Sequence, residues 1–178
     1  KILTGVQHQD SGTIELYGSH VTFNSPLDAQ QALLATIYQE FTLVPSLSVR
    51  ANLFLGREKS RAGFLNEREE ASKAKTILAK LGLAIDVETS VSELTIAQQQ
   101  LVEIGRALAS DAKILVMDEP TAALTPTEVR ALFVVLRELA EQGIGMIFIS
   151  HRLDEIFEIA DRITVLRDGA TIETRAAS

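Results

Sequence analysis

Four polar positions, far apart in the chain, have the residue types and surroundings to do chemistry: Gln39, the pair Asp118-Glu119, and His151. The acid pair closes the apolar run ILVM at 114–117. A strand buried on both faces tolerates carboxylates at its end only where something offsets their charge. A Mg²⁺-nucleotide does so: one acid holds the metal through water and its neighbour orients an attacking water. The plain alternative is two acids that open a solvated loop. His151 follows MIFIS. A neutral imidazole there can donate to a terminal phosphate and sense its presence, or be an ordinary loop contact. Gln39 ends ATIY. Its amide oxygen can join a Mg²⁺ shell that otherwise keeps several waters, although glutamine at a strand end is ordinarily just solvated.

The stretch SELTIAQQQLVEIGRALA reads as a helix whose first residues are polar. Ser92 or Thr95 can cap its start, leaving N–H groups and the positive end of the dipole outward as an anion site. The same stretch also suits a plain amphipathic helix with Leu101, Ile104, Ala107 and Leu108 as its core stripe. His8 and His20 sit in or beside turns and receive no role.

The elements that must position these groups alternate in type. TIELYGSHVTF reads as a β-hairpin with Gly18-Ser19 as its two-residue turn, and ALLATIY as a short buried strand. Residues 49–111 are mainly helical; Asn66 and Glu69 resemble a capping box, and Gly82 ends that helix. Beyond Lys113 come the strand ILVM and a helix opened by Thr125, Pro126 and Glu128. That helix buries Val129, Leu132, Phe133, Leu136 and Ala140, and Gly143 closes it. Then follow a buried strand MIFI, a helix with Ile156, Phe157 and Ala160 inward, and a hairpin turning at Asp168-Gly169. Buried strands joined by a helix pair in parallel through a right-handed crossover. Ligands of such sheets bind beyond the carboxyl ends of the strands, where Gln39, Asp118, Glu119 and His151 are all expected.

Composition bounds the rest. The 178 residues, 46% hydrophobic and 23% charged, suit one globular domain. Without cysteine there is no disulfide framework, thiolate zinc site or cysteine nucleophile. A net charge of -7 with no basic stripe argues against nucleic acid as a partner. No apolar run nears the roughly 20 residues that span a bilayer, and the polar turn in KILTGVQHQDSG comes too early for a secretory segment. Any membrane role is expected to come through a partner.

Order and spacing join these signals. Strand-Gln39, a helical insertion, a capped helix, DEPTAALT, and strand-His151 together resemble the nucleotide-binding domain of ABC ATPases over essentially the whole chain. Gln39 matches the Q-loop. Thr95, Ile96, Ala97 and Gln98 lie in the signature motif, LTIAQ. Asp118 and Glu119 match Walker B, Ala122, Ala123, Leu124 and Thr125 the D-loop, and His151 the switch histidine. LTIAQ in place of LSGGQ, and Thr125 in place of a D-loop aspartate, are similar to the first cassette of sugar importers of the ribose, xylose, arabinose and galactoside group.

The resemblance implies a P-loop NTPase-like α/β fold with a mainly parallel core sheet, antiparallel hairpins and a helical subdomain. Residues 1–48 and 112–178 would form the core, and 49–111 the helical part. It implies ATP and Mg²⁺, with Asp118 and Gln39 serving the metal, Glu119 as general base and His151 at the γ-phosphate. The signature residues would cap ATP held by an opposing cassette, so that hydrolysis occurs at a head-to-tail interface. A second cassette, transmembrane permease subunits and, indirectly, an external sugar-binding protein are the implied partners. The implied location is the cytoplasmic face of the bacterial plasma membrane. Ile96 and Ala97 replace glycines, which loosens the expected backbone approach to phosphate. In the family the Walker A strand and loop precede a helix in which Lys1 would already stand. These residues by themselves are therefore expected to bind ATP weakly, to hydrolyse it negligibly and to leave apolar sheet surface open. The rival readings are a cassette that gates its partner without turnover and an ABC protein that acts outside transport.

Overall fold

The structure is a computed structural model that describes residues 1–58, 60–61, 64–65 and 67–177, with the side chains at 60–61 and 64–65 left aside. Residues 2–5 form successive turns, closed by Gly5 N–H to the Ile2 carbonyl at 3.0 Å and Val6 N–H to that of Lys1 at 3.1 Å. The regular helix expected around Lys1 is not seen there. The first hairpin pairs β1 (Ile14–Leu16) with β2 (Ser19–Val21), and Leu16 faces Ser19. The turn is therefore Tyr17-Gly18, one residue earlier than expected. Both have positive φ, 51° and 77°, as the primed hairpin turn demands; a glycine at its second position meets that demand without strain.

After α1 (Pro26–Gln31), capped by Ser25 and Asp28, the chain enters β3 (Leu34–Ile37). Then come α2 (Val49–Phe54), a two-residue antiparallel pair β4 (Ser60–Arg61) and β5 (Phe64–Leu65), and α3 (Glu67–Lys80). Asn66, expected to cap α3, lies outside the described residues. At the other end Gly82, φ 66°, closes α3 as expected. The Leu83 N–H reaches the Leu78 carbonyl at 2.9 Å and the Gly82 N–H that of Ala79 at 3.1 Å. This two-bond closure satisfies carbonyls the helix would otherwise leave orphaned.

A 3-10 turn at Val91–Glu93 leads into α4 (Ile96–Ala109). Gly105 lets three helices close up: a Cβ there would stand 3.0 Å from Leu53 Cδ2 and 3.2 Å from Ile77 Cγ2 and Leu81 Cδ1. Helices α2, α3 and α4 gather around Leu43, Val49, Leu53, Leu78, Val91 and Val102. On α4 the buried residues include Val102, Ile104 and Ala107, whereas Leu101 and Leu108 are only half-buried.

The remaining elements are β6 (Ile114–Asp118), α5 (Pro126–Glu141), β7 (Gly145–Ile149), α6 (Leu153–Ile159), β8 (Arg162–Arg167) and β9 (Ala170–Ala176). The strand order β3-β6-β7 is parallel throughout, with Leu34 opposite Ile114 and Ile114 opposite Gly145. Alternation along β6 splits its side chains between two layers. Leu115 and Met117 join Phe133, Leu136 and Ile104 on one face, while Val116 meets Phe23, Ala29 and Leu34 on the other. The α5 face buries Leu139 in place of the expected Ala140, which is exposed.

Two further expectations are corrected by burial. Strand β7 is not buried on both faces: Ile147 and Ile149 are 40% and 46% exposed. It has one neighbour among the described residues, and this is where open apolar sheet surface is found. On α6, Phe157 is exposed and Ile156 half-buried, Ala160 lies past the helix end, and the one buried residue is Glu155. The β8-β9 hairpin turns at Asp168-Gly169 as expected, φ 51° and 77°, yet nearly every residue in it is exposed.

Candidate functional site

All three parallel strands end on the same rim. Ile37 pairs with Met117, and Asp118 pairs with Ile149, so the residues that follow, Gln39, Glu119 and His151, leave the sheet together. This is the carboxyl edge at which such sheets take ligands.

Asp118 is exposed at the last position of β6. Glu119 then takes a left-handed backbone, φ 47°, which costs a non-glycine residue on the order of 1–3 kcal/mol. Its N–H donates to the Ile149 carbonyl at 2.9 Å, so the strained turn is tied to the end of β7. The turn brings Glu119 Oε1 to 3.0 Å from His151 Nδ1. Glu119 is partly covered while His151 is 75% exposed. With the carboxylate ionised, Nδ1 carries the proton and donates to it. The other nitrogen, Nε2, then donates to a phosphate oxygen only in the imidazolium form. A neutral ring held this way accepts there instead, which narrows the chemistry expected of the histidine.

Gln39 is exposed two residues past β3 and makes no side-chain hydrogen bond among the described residues. The chain beyond it is held firmly. The Thr42 N–H and hydroxyl both donate to Glu103 Oε1, at 2.6 and 3.0 Å. Arg106 pairs with the other oxygen of Glu103 at 2.7 Å and also reaches the Thr42 hydroxyl. Two residues on, Asn52 accepts from the Val44 N–H at 2.7 Å and donates to the Val44 and Ser48 carbonyls at 3.0 Å. A buried carboxylate and a buried amide thus fasten the loop after β3 to α4 and α2.

At the start of α4, Thr95 is the cap, rather than Ser92. Its hydroxyl accepts from the Gln98 N–H at 3.3 Å while Gln98 Oε1 accepts from the Thr95 N–H at 2.9 Å. Ile96 is exposed and Ala97 half-buried beside them. Eight residues separate Thr95 from Glu103, so this terminus stands about 12 Å further along the helix axis. No hydrogen bond or ion pair among the described residues joins it to Asp118, Glu119 or His151. Strand pairing brings Gln39, Asp118, Glu119 and His151 to one rim; the α4 terminus shares no bond with them among the described residues.

The loop after Glu119 contains Ala122, Ala123, Leu124 and Thr125. Thr125 closes a capping box: Glu128 Oε2 accepts from the Thr125 N–H at 2.8 Å and its hydroxyl at 2.7 Å. The backbone N–H of Thr125, then its hydroxyl, holds the Glu128 carboxyl below the usual glutamate range. Among the described residues no cluster of three or more histidine or acidic side chains forms a ready metal cage. Asp118 and Gln39 offer two oxygen donors on one rim, which suits a cation that keeps water and phosphate oxygens in its shell.

Residues missed in the sequence are the ones that fasten these loops: Glu103 and Asn52 behind Gln39, and Thr121 and Glu155 behind the acid pair and the histidine. Glu103 had a faint signal, a charge between Val102 and Ile104 on an apolar helix face. Thr121 and Glu155 had none that separates them from loop and surface residues.

The three-stranded parallel sheet, its rim and the capped helices are the fold of an ATP-binding cassette of the ABC type. The chain belongs to the ABC transporter family, whose model matches residues 1–122. It is 50% identical over 174 residues to the ribose import ATP-binding protein RbsA 3 of Rubrobacter xylanophilus. It is 47% identical over 175 residues to the ribose import ATP-binding protein RbsA of Bacillus licheniformis. Each match covers 98% of this chain but only 35% and 36% of those proteins, so the chain spans about a third of the length of the curated relatives it matches. Among solved structures, a nucleotide-free ATP-binding cassette from an ABC transporter superposes with a TM-score of 0.86 at 28% identity, covering 98% of this chain and 73% of that one. The ADP conformation of MJ1267, an ATP-binding cassette of an ABC transporter, gives 0.83 at 27% identity over the same shares.

Proposed function

We propose that this chain is the first cassette of an ATP-hydrolysing subunit that energises sugar import, of the ribose class, through a bacterial ABC transporter. The observation that carries the reading is the Glu119–His151 pair, 3.0 Å apart beside Asp118 at the end of a buried parallel strand. An acid in a left-handed turn, tied by its own N–H to the next strand, is a fixed group aimed off the rim. The identity of about half with ribose import ATP-binding proteins supports the substrate class.

In this mechanism Glu119 accepts the proton of the attacking water, and His151 holds Glu119 through Nδ1 and donates from Nε2 to the γ-phosphate when both ring nitrogens carry protons. Asp118 and Gln39 would hold Mg²⁺ on the rim, where the ion would neutralise charge on the transferring phosphoryl group. The α4 terminus, capped by Thr95 with Ile96, Ala97 and Gln98, faces the ATP of an opposing cassette. Residues 122–125 line the junction between the two cassettes. Residues 49–111 form the helical part that meets the permease, on the cytoplasmic face of the membrane, with a sugar-binding protein acting from the other side. No helix among the described residues is long and apolar enough to cross a membrane.

The test is Glu119→Gln in the complete protein. Turnover should fall by about a hundredfold or more, the scale of a lost general base, while ATP binding persists. An unchanged rate of hydrolysis would refute the assignment.

A further inference from the structure

One buried acid remains that the proposed chemistry does not use. Glu155, in the first turn of α6, is 2% exposed. A carboxylate taken out of water is costly by several kcal/mol unless it is paired, so what surrounds it must offset that cost. Thr121 Oγ1, itself buried, donates to Glu155 Oε2 at 2.6 Å. The Ser150 hydroxyl reaches the same oxygen at 3.4 Å, and Arg152 Nη1 lies 2.7 Å from Oε1 as an ion pair. The Arg152 N–H closes the group by donating to Ser150 Oγ at 3.0 Å.

The placement of these donors in the chain is what matters. Thr121 is two residues past Glu119, while Ser150 and Arg152 flank His151 on either side. Both rim loops thereby reach a single carboxylate, the first through Thr121 at 2.6 Å, the second through Arg152 at 2.7 Å and, more loosely, Ser150 at 3.4 Å. We infer that Glu155, through Thr121 and Ser150, is the positioning residue that sets the spacing of Glu119 and His151. It does so without touching nucleotide. The inference rests on the functional reading above for its kinetic consequence, but its geometric consequence stands apart from that reading.

The complete protein is compared with its Thr121→Val and Thr121→Ser variants. Valine keeps the shape and removes the donor; serine keeps the donor. Thr121→Val should lower kcat for ATP hydrolysis by about tenfold or more, the scale of a small misplacement of reacting groups. KM for ATP and the melting temperature should move little, and Thr121→Ser should restore kcat to within about threefold of the parent. In a crystal structure of Thr121→Val, the Glu119 Oε1 to His151 Nδ1 separation should open beyond 3.5 Å, the outer limit of a hydrogen bond. A parental kcat in folded Thr121→Val, or serine as impaired as valine, overturns the inference; so does a separation that stays at 3.0 Å. If Thr121→Val does not fold, Ser150→Ala puts the same question to the other loop, with the same readouts and a smaller expected loss. A parent protein that hydrolyses no ATP refutes the functional reading alone, and the distance still decides this one.

Discussion

The loops after β3 and after β7 are fastened in the same way, each by a buried glutamate from a neighbouring helix, yet they stand in very different surroundings. Glu103 and Asn52 hold the first loop against α2 and α4, which pack around Leu43, Val49, Leu53 and Val102. Glu155 holds the second loop through Arg152 and Ser150, from α6, whose Leu153 and Phe157 are 66% and 61% exposed. The hairpin that follows α6 adds no buried side chain. Where helices converge, polar anchors are reinforced by apolar packing. Where one short helix lies at the edge of the core, touching it through Ile159 and bonded by Arg137 at Glu158, the buried carboxylate has less apolar packing to support it. The first loop should therefore be lost only with the fold around it, and the second should be the easier to shift.

Three substitutions, two in the packed region and one in the exposed one, test that contrast. Leu53→Ala, in a helix where Leu53 is 1% exposed, should cost about 3 kcal/mol through lost transfer energy and the cavity left behind. Denaturant unfolding of the complete protein measures it, and a value no larger than a surface change would contradict the packing described. Asn52→Ala should cost about 2 kcal/mol, because the Val44 N–H loses its acceptor where water does not replace it. Faster hydrogen exchange at Val44 should accompany that loss. Phe157→Ser is the smallest, within about 0.5 kcal/mol, as for an exposed position without a special role. A cost matching that of Leu53→Ala would erase the difference between the regions.

The rim was legible in the chain itself because its elements are short and locally punctuated. ILVM and MIFI are continuous apolar runs, Thr125 and Glu128 spell a capping box, and Asp168-Gly169 spells a turn; each signal depends on residues within a few positions. The first hairpin shows the limit of that reading: two candidate pairs contain Gly18, and strand register, not composition, chose Tyr17-Gly18. The expected inward face of α6 failed for another reason. Its apolar spacing is real, but a stripe is buried only when another element covers it, and among the described residues none covers Phe157. Likewise MIFI has the composition of a central strand and the exposure of an edge strand.

Strand ends, the Thr125 cap and the common rim of Gln39, Asp118, Glu119 and His151 could be read from the chain, since they follow from local backbone preference and strand polarity. The cap of α4, by contrast, stayed open between Ser92 and Thr95 until the helix was placed. Which acids serve as anchors depends on contacts between distant segments. Glu103 meets Thr42 across 61 residues, and Glu155 meets Thr121 across 34. A carboxylate looks the same in sequence whether it faces water or two hydroxyls. What separates the cases is desolvation, and that exists only once distant segments have packed.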